Sequence, residues 1–155
     1  MDIKQLYQDI ILEHGKSPRN LGKCEGYNHD AKGHNPLCGD KIHIYLKLDI
    51  EKKVEDLTFE GEGCAISLAS ASIMTELLKG KSFGETTEIK NSFLNMIKNT
   101  SKIELNSLDE DSKTKMMSLS GVKKFPMRVK CATLSWHTLF SAIEKKEEIN
   151  VEEID

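Results

Sequence analysis

The chain of 155 residues carries 22 Lys and Arg against 25 Asp and Glu, a formal net charge of −3, with no basic run interleaved with aromatic residues. That balance argues against nucleic acid as a partner, and no apolar stretch approaches the length needed to span a membrane. A chain of this size buries roughly two-thirds of its unfolded surface, so one domain covering residues 1–155 can fold without help from a disulfide or a bound metal.

Met1 leads directly into an amphipathic pattern with Asp2 second, without the basic start and apolar core of a signal peptide, so a cytoplasmic compartment is expected. Ile3, Leu6, Tyr7, Ile10 and Ile11 recur at helical spacing, and Gly15 with Ser17-Pro18 supplies a stop, which predicts a first helix ending near His14. A coil is predicted from there to Pro36. From Asp40, Ile42, Ile44, Leu46 and Leu48 alternate with Lys41, His43, Tyr45 and Lys47, the period of a strand with one wet face. After a turn over residues 49–53, Val54 to Glu60 returns as the hairpin partner, and Gly61 and Gly63 break it before Cys64, which brings Cys64 close to Asp40.

Ile66, Ser70, Ile73 and Leu77 mark one face of a helix over about residues 65–79, whose Ala and Ser content allows close packing on the sheet. Ser82-Phe83-Gly84-Glu85 and Ser107-Leu108-Asp109-Glu110 both have capping-box form and open two further helices. A basic linker through Lys123-Lys124 reaches Phe125-Pro126. The longest helical stripe follows, with Val129, Ala132, Trp136, Leu139, Phe140 and Ile143 on it and Cys131 in its first turns. The charged tail over residues 144–155 is expected to fray.

Three cysteines stand in separate contexts, Asn35-Pro36-Leu37-Cys38-Gly39-Asp40, Gly61-Glu62-Gly63-Cys64-Ala65 and Val129-Lys130-Cys131-Ala132, each beside the end of a predicted element. Four cysteines would permit two disulfides in a secreted protein, but a cytosolic chain with this little Cys favours metal or catalytic use. Cys38 and Asp40 flank Gly39, so a tight turn can aim both into one pocket, while Cys64 and Cys131 add two groups from the starts of two helices. Three sulfurs and a carboxylate complete a tetrahedral set for zinc, and three thiolates equally suit an iron–sulfur cluster. Helix N-termini would stabilise thiolates at Cys64 and Cys131. A single cysteine beside a helix start is more often a small core residue; three beside Gly or Pro turns, one with an Asp two positions on, outweigh that reading.

The segments N-P-L-C-G-D, F-E-G-E-G-C-A-I-S-L-A-S-A-S and R-V-K-C-A-T-L-S-W, in this order and spacing, resemble the iron–sulfur cluster assembly proteins of the SufU/IscU (NifU N-terminal-like) family. The likeness runs from Leu6-Tyr7 through Ser17-Pro18-Arg19-Asn20 to beyond Trp136 and covers nearly the whole chain. It implies a compact α+β fold, a small antiparallel sheet packed against several helices, with a labile metal site of Cys38, Asp40, Cys64 and Cys131 at one end. It further implies a sulfur acceptor and carrier, rather than a stand-alone enzyme, that takes persulfide sulfur from a pyridoxal-phosphate cysteine desulfurase and serves downstream apoproteins or other assembly factors. Lys130 stands where the IscU-like branch has a histidine, and the segment between Cys64 and Cys131 is longer than that branch allows. Phe125-Pro126-Met127-Arg128-Val129-Lys130-Cys131 is the SufU-like form, so zinc-dependent sulfur transfer is expected, alongside a transient cluster on Cys38, Cys64 and Cys131.

Cys38 is the expected sulfur acceptor, because a turn outside regular structure lets it swing toward a partner. Asp40, as an oxygen ligand among sulfurs, would make the site easier to open. Arg128, one helical turn before Cys131, could pair with Asp40 or lie solvated. Cys24 reads as a partly buried free thiol, and His14 as a donor or cation suited to the end of the first helix. His29, His34 and His43 carry no convincing ligand spacing, although His34 is close enough to Cys38 to be an occasional ligand. His137, six positions after Cys131 and about 600° around the helix, points elsewhere, which disfavours a Cys–His nucleophile pair. The competing class is a structural zinc module that mediates protein contacts without accepting sulfur, although such sites usually contain a closely spaced Cys pair, which this chain lacks.

Overall fold

The computed structural model describes residues 2–98, 105–145 and 148–151. In chain order the elements are α1 (Ile3–Lys16), β1 (His29–Asn35), β2 (Asp40–Leu48), β3 (Val54–Glu62), α2 (Ala65–Leu78), α3 (Phe83–Lys98), α4 (Glu110–Met117), a 3-10 helix (Ser118–Lys124), α5 (Pro126–Ile143) and β4 (Glu148–Asn150). The sheet runs β3-β2-β1-β4. β1, β2 and β3 are antiparallel and β4 joins β1 in parallel, giving the expected α+β architecture.

The alternation along β2 sends Ile42, Ile44 and Leu46 inward, on the face covered by α5, while α2 packs on β3. α2 is central and buried on nearly every side rather than along one stripe. Its hydroxyls find partners inside the core: the Trp136 indole N–H donates to Ser70 Oγ at 3.1 Å, and the Ser70 hydroxyl donates to the Ala132 carbonyl at 2.5 Å. Phe93 stacks on Trp136 with ring centroids 4.3 Å apart. α2 and α5 are thus locked together by both apolar and polar contacts.

Several local expectations change. α1 continues through Gly15 to Lys16, because this is where the helix crosses the start of α2: a side-chain carbon at Gly15 would come within 3.0 Å of the Ala65 carbonyl oxygen. The coil predicted up to Pro36 contains β1. Its inward residues are Ala31, Gly33 and Asn35, with α5 so near that a Cβ on Gly33 would lie 3.0 Å from Leu134. The close helix demands small residues, which erases the apolar alternation that marks a strand. β3 extends to Glu62, and the basic linker before α5 is the 3-10 helix.

The capping box at Ser82 and Glu85 forms with both reciprocal bonds, at 3.0 and 3.2 Å. At α4 the cap is Asp109, not Ser107: its carboxylate accepts from the Ser112 N–H at 2.7 Å. In the tail expected to fray, β4 pairs Gly33 with Ile149, and Val151 is fully buried. The part of that expectation on residues 146–147 and 152–155 lies outside the described residues. No helix among the described residues is long and apolar enough to cross a membrane.

Candidate metal centre

Three separate pieces of chain meet at one end of the sheet. The β1–β2 turn carries Cys38, whose N–H donates to the Asn35 carbonyl at 3.3 Å, and the register sets Asn35 opposite Asp40. The β2–β3 pairing of Lys41 with Glu62 brings the end of β3 alongside, so Cys64 arrives as the N-cap of α2. Cys131 comes from the second turn of α5 and is fully buried, as is Asp40. The ligand atoms of Cys38, Asp40 and Cys131 all lie within 4.8 Å of one another. Cys64 stands beside this trio, hydrogen-bonded to the Cys131 thiol, and its sulfur accepts from the Ser67 N–H at 3.5 Å.

Asp40 is held from two sides. Its Oδ1 accepts the Cys64 backbone N–H at 2.9 Å, and its Oδ2 faces the Asn35 amide at 3.4 Å. The carboxylate is therefore a backbone anchor through Oδ1, and its Oδ2 stands beside the sulfurs under the Asn35 amide. Asn35, fully buried, also points its amide at Cys131 Sγ at 3.5 Å. Gly63 makes this approach possible: at φ +152° it leaves a gap where a Cβ would lie 3.0 Å from the Asp40 Cα.

The cysteines are electrostatically unequal. The hydrogen bond from Cys131 holds the Cys64 thiol well below the usual thiol range, helped by the N–H groups of Ser67 and Ile66 at the start of α2. Cys131 is pushed up, because its proton is engaged by Cys64 and burial opposes a second anion. The expectation of a helix-stabilised thiolate thus holds at Cys64 and fails at Cys131, which lies too far along α5 to face unpaired N–H groups. Cys131 Sγ lies 3.2 Å from Cys38 Sγ. On the open side, a cleft of about 730 Å³ is lined by Leu37, Cys38, Cys64, Ile66, Phe125, Met127 and Arg128.

The donor atoms fit a thiophilic ion. The edge of a zinc–thiolate tetrahedron is about 3.8 Å, comparable with the separations in the trio; Cys64, whose sulfur accepts from the Ser67 N–H, stands outside that group. Arg128 is exposed and directs its guanidinium to Cys131, near the Cys64 charge, rather than pairing with Asp40. Cys24 is a buried free thiol, 5 % exposed, raised by burial. His14 is not a helix-end cation. It is buried with Nδ1 2.7 Å from Ser72 Oγ, and burial lowers its pKa. His34 lies outside the trio on the outward side of β1, and His137 lines a different crevice with Leu94, Ile97 and Lys98. Sequence reading assigned no role to Asn35. The available signal was its place five residues before Asp40, the spacing of a two-sided hairpin loop.

Comparison with known proteins bears directly on this centre. Residues 6–132 match the family model of the NifU-like N terminal domain. The chain is 40% identical over 149 residues to the zinc-dependent sulfurtransferase SufU of Bacillus subtilis (strain 168), covering 94% of this chain and 95% of that protein. It is 37% identical over 143 residues to the iron-sulfur cluster assembly scaffold protein IscU of Streptococcus pyogenes serotype M1, covering 92% and 86%. A solved structure from Fervidobacterium islandicum AW-1, described as a candidate iron-sulfur cluster assembly scaffold for the SUF system, superposes with a TM-score of 0.75 at 35% identity, covering 90% of this chain and 97% of that one.

Proposed function

Since this chain belongs to the NifU-like N-terminal domain family, to which its SufU and IscU relatives point, we propose that it accepts persulfide sulfur from a cysteine desulfurase on Cys38 and delivers it to iron–sulfur cluster assembly. The observation that carries this reading is the position of Cys38. It is the member of the Cys38–Asp40–Cys131 trio that borders the open cleft, while Asp40 and Cys131 are fully buried behind it. A desulfurase presenting a persulfide into that cleft meets Cys38 on the β1–β2 turn, with Cys64 at the start of α2 beside it. The Cys38 thiolate attacks the outer persulfide sulfur, the sulfur–sulfur bond breaks, and the desulfurase cysteine leaves as a thiolate.

Cys38, Asp40, Cys64 and Cys131 would hold zinc, which when bound supplies a Lewis acid that keeps the thiols deprotonated and clustered. Asp40, an oxygen donor among sulfurs and already held on one oxygen by the Cys64 N–H, is the weakest of the four toward a thiophilic ion, so the centre opens most readily there. Exposed Leu37, Phe125 and Met127 around the cleft provide an apolar rim for a docked partner. The IscU relatives support a further step in which Cys38, Cys64 and Cys131 carry a transient iron–sulfur cluster as cargo.

The deciding experiment is mass spectrometry after incubation with desulfurase and cysteine. The parent and Asp40→Ala gain a sulfur, with Asp40→Ala retaining metal less well, whereas Cys38→Ala gains none at matched metal content. Sulfur accepted and relayed at Cys64 or Cys131 in Cys38→Ala would overturn the acceptor. Inert thiols in the parent would favour a structural zinc module instead.

A further inference from the structure

The trio holds a thiol that the acceptor role leaves unused. Cys131 is fully buried, absent from the lining of the cleft, and 3.2 Å from Cys38 Sγ. No external donor reaches it directly. Sulfur reaches it by way of the two cleft cysteines that touch it, and of these Cys38, 3.2 Å away, is the acceptor.

We propose that Cys131 is a resolving thiol that discharges a Cys38 persulfide as hydrosulfide, so that the chain releases reduced sulfur as well as carrying it; this rests on Cys38 being the acceptor. Sulfur added from the cleft side places the outer atom in the opening and leaves Cys131 at the back of Cys38 Sγ, the direction an in-line displacement needs. Cys131 sulfur bonds to Cys38 Sγ, and the bond from Cys38 Sγ to the outer sulfur breaks. The Cys131 proton passes to Cys64, its hydrogen-bond partner on the cleft wall, and through cleft water to the departing atom, so Cys38–S–S⁻ and Cys131–SH become a Cys38–Cys131 disulfide and HS⁻. The outer sulfur gains two electrons as the two cysteine sulfurs are oxidised, and a dithiol reductant then restores the thiols. Arg128 lines the same cleft and presents a cation to the departing anion. Cys64 also lines the cleft, so it competes for incoming sulfur, but the sulfur-to-sulfur contact on Cys38 belongs to Cys131.

The test loads sulfur without a desulfurase. The full chain, as purified and again with a chelator, is treated briefly with inorganic polysulfide, freed of excess reagent, and followed for hydrosulfide by a fluorescent probe and for disulfides by peptide mapping. In the chelated sample, where no ion restrains Cys131, a Cys38 persulfide is expected to give way to hydrosulfide and a Cys38–Cys131 disulfide in equal amounts. Cys131→Ser should keep the persulfide and release hydrosulfide at least tenfold more slowly. A disulfide from Cys38 to Cys64, the extra sulfur recovered on Cys131, a persulfide that persists in the parent, or unchanged release from Cys131→Ser would each overturn the proposal. If Cys131→Ser does not fold, the parent's disulfide map decides alone. Failure of a desulfurase to load Cys38 would count against the acceptor role and leave the polysulfide result standing.

Discussion

Gly63 has no side chain, yet it governs how Asp40 is used. A methyl group there would sit 3.0 Å from the Asp40 Cα and press on its carboxylate, at a backbone φ of +152° that L side chains rarely adopt. Gly63→Ala is expected to lose about 1–3 kcal/mol through backbone strain, seen as a melting temperature lower by several degrees in a chain of this length. Metal retention should fall further than stability does, because displacing the carboxylate also removes the anchor on the Cys64 N–H. Competition with a chromophoric chelator measures the first effect and calorimetry the second; equal retention in parent and variant would refute the link between Gly63 and Asp40.

α1 is fastened to α2 at His14, and α5 faces α3 at His137. Ser72 Oγ accepts the Arg19 N–H at 2.8 Å, which leaves its hydroxyl to donate to His14 Nδ1; His14 Nε2 is 3.6 Å from Glu76. Protonating Nδ1 would set two donors against each other. Burial lowers the pKa of His14 and brings that of His137 down to about 4, with Lys90, Lys130 and Lys98 adding repulsion at His137. A histidine whose folded pKa lies below its unfolded value of about 6.5 binds its proton more readily when unfolded. Stability is thus complete above about pH 6.5 and declines as pH falls toward the folded values. Between pH 7 and 5, the melting temperature of the parent should drop more steeply than that of a His14→Asn, His137→Gln double variant, and parallel slopes would exclude both groups. At the far edge of the sheet, Val151 is fully buried against the core and its carbonyl accepts from Lys130 Nζ at 3.2 Å. Val151→Ala should cost about 1–2 kcal/mol, by loss of roughly two buried methylene equivalents, measurable by urea unfolding.

Across the whole molecule the core and the metal centre are separable. Phe59, Phe93, Trp136, Ile44, Leu46, Leu57 and Ile73 are all fully buried, and they are not ligands. Small metallo-domains that unfold on chelation lack such a core, and their zinc contributes about 10–16 kcal/mol of the folding free energy. Here chelation should lower the melting temperature by mass action and leave a cooperative transition and the far-UV helix signal intact. Loss of both would show that the metal, not the packing, holds the fold.

How much of this was legible in the sequence follows from which forces act locally. Strict alternation from Ile42 to Leu48, helical spacing along α1 and α5, and the Ser82–Glu85 box specify themselves, because their side chains report periodicity and capping within one element. The three cysteines and Asp40 were visible as residue types of the right chemistry beside element ends. β1 and β4 were not, since Ala31 and Gly33 are small only because α5 lies against them, and β4 exists only as a neighbour of β1. Nor could the sequence rank the sulfurs. Which thiol faces the cleft, which shares a proton with Cys64 and which lies 3.2 Å behind Cys38 depends on the crossing of α5 behind the hairpin. The sequence by itself determined the candidate donors and most of the elements, while distance, burial and the order of reactivity came from tertiary packing, because those are relations between segments about 90 residues apart.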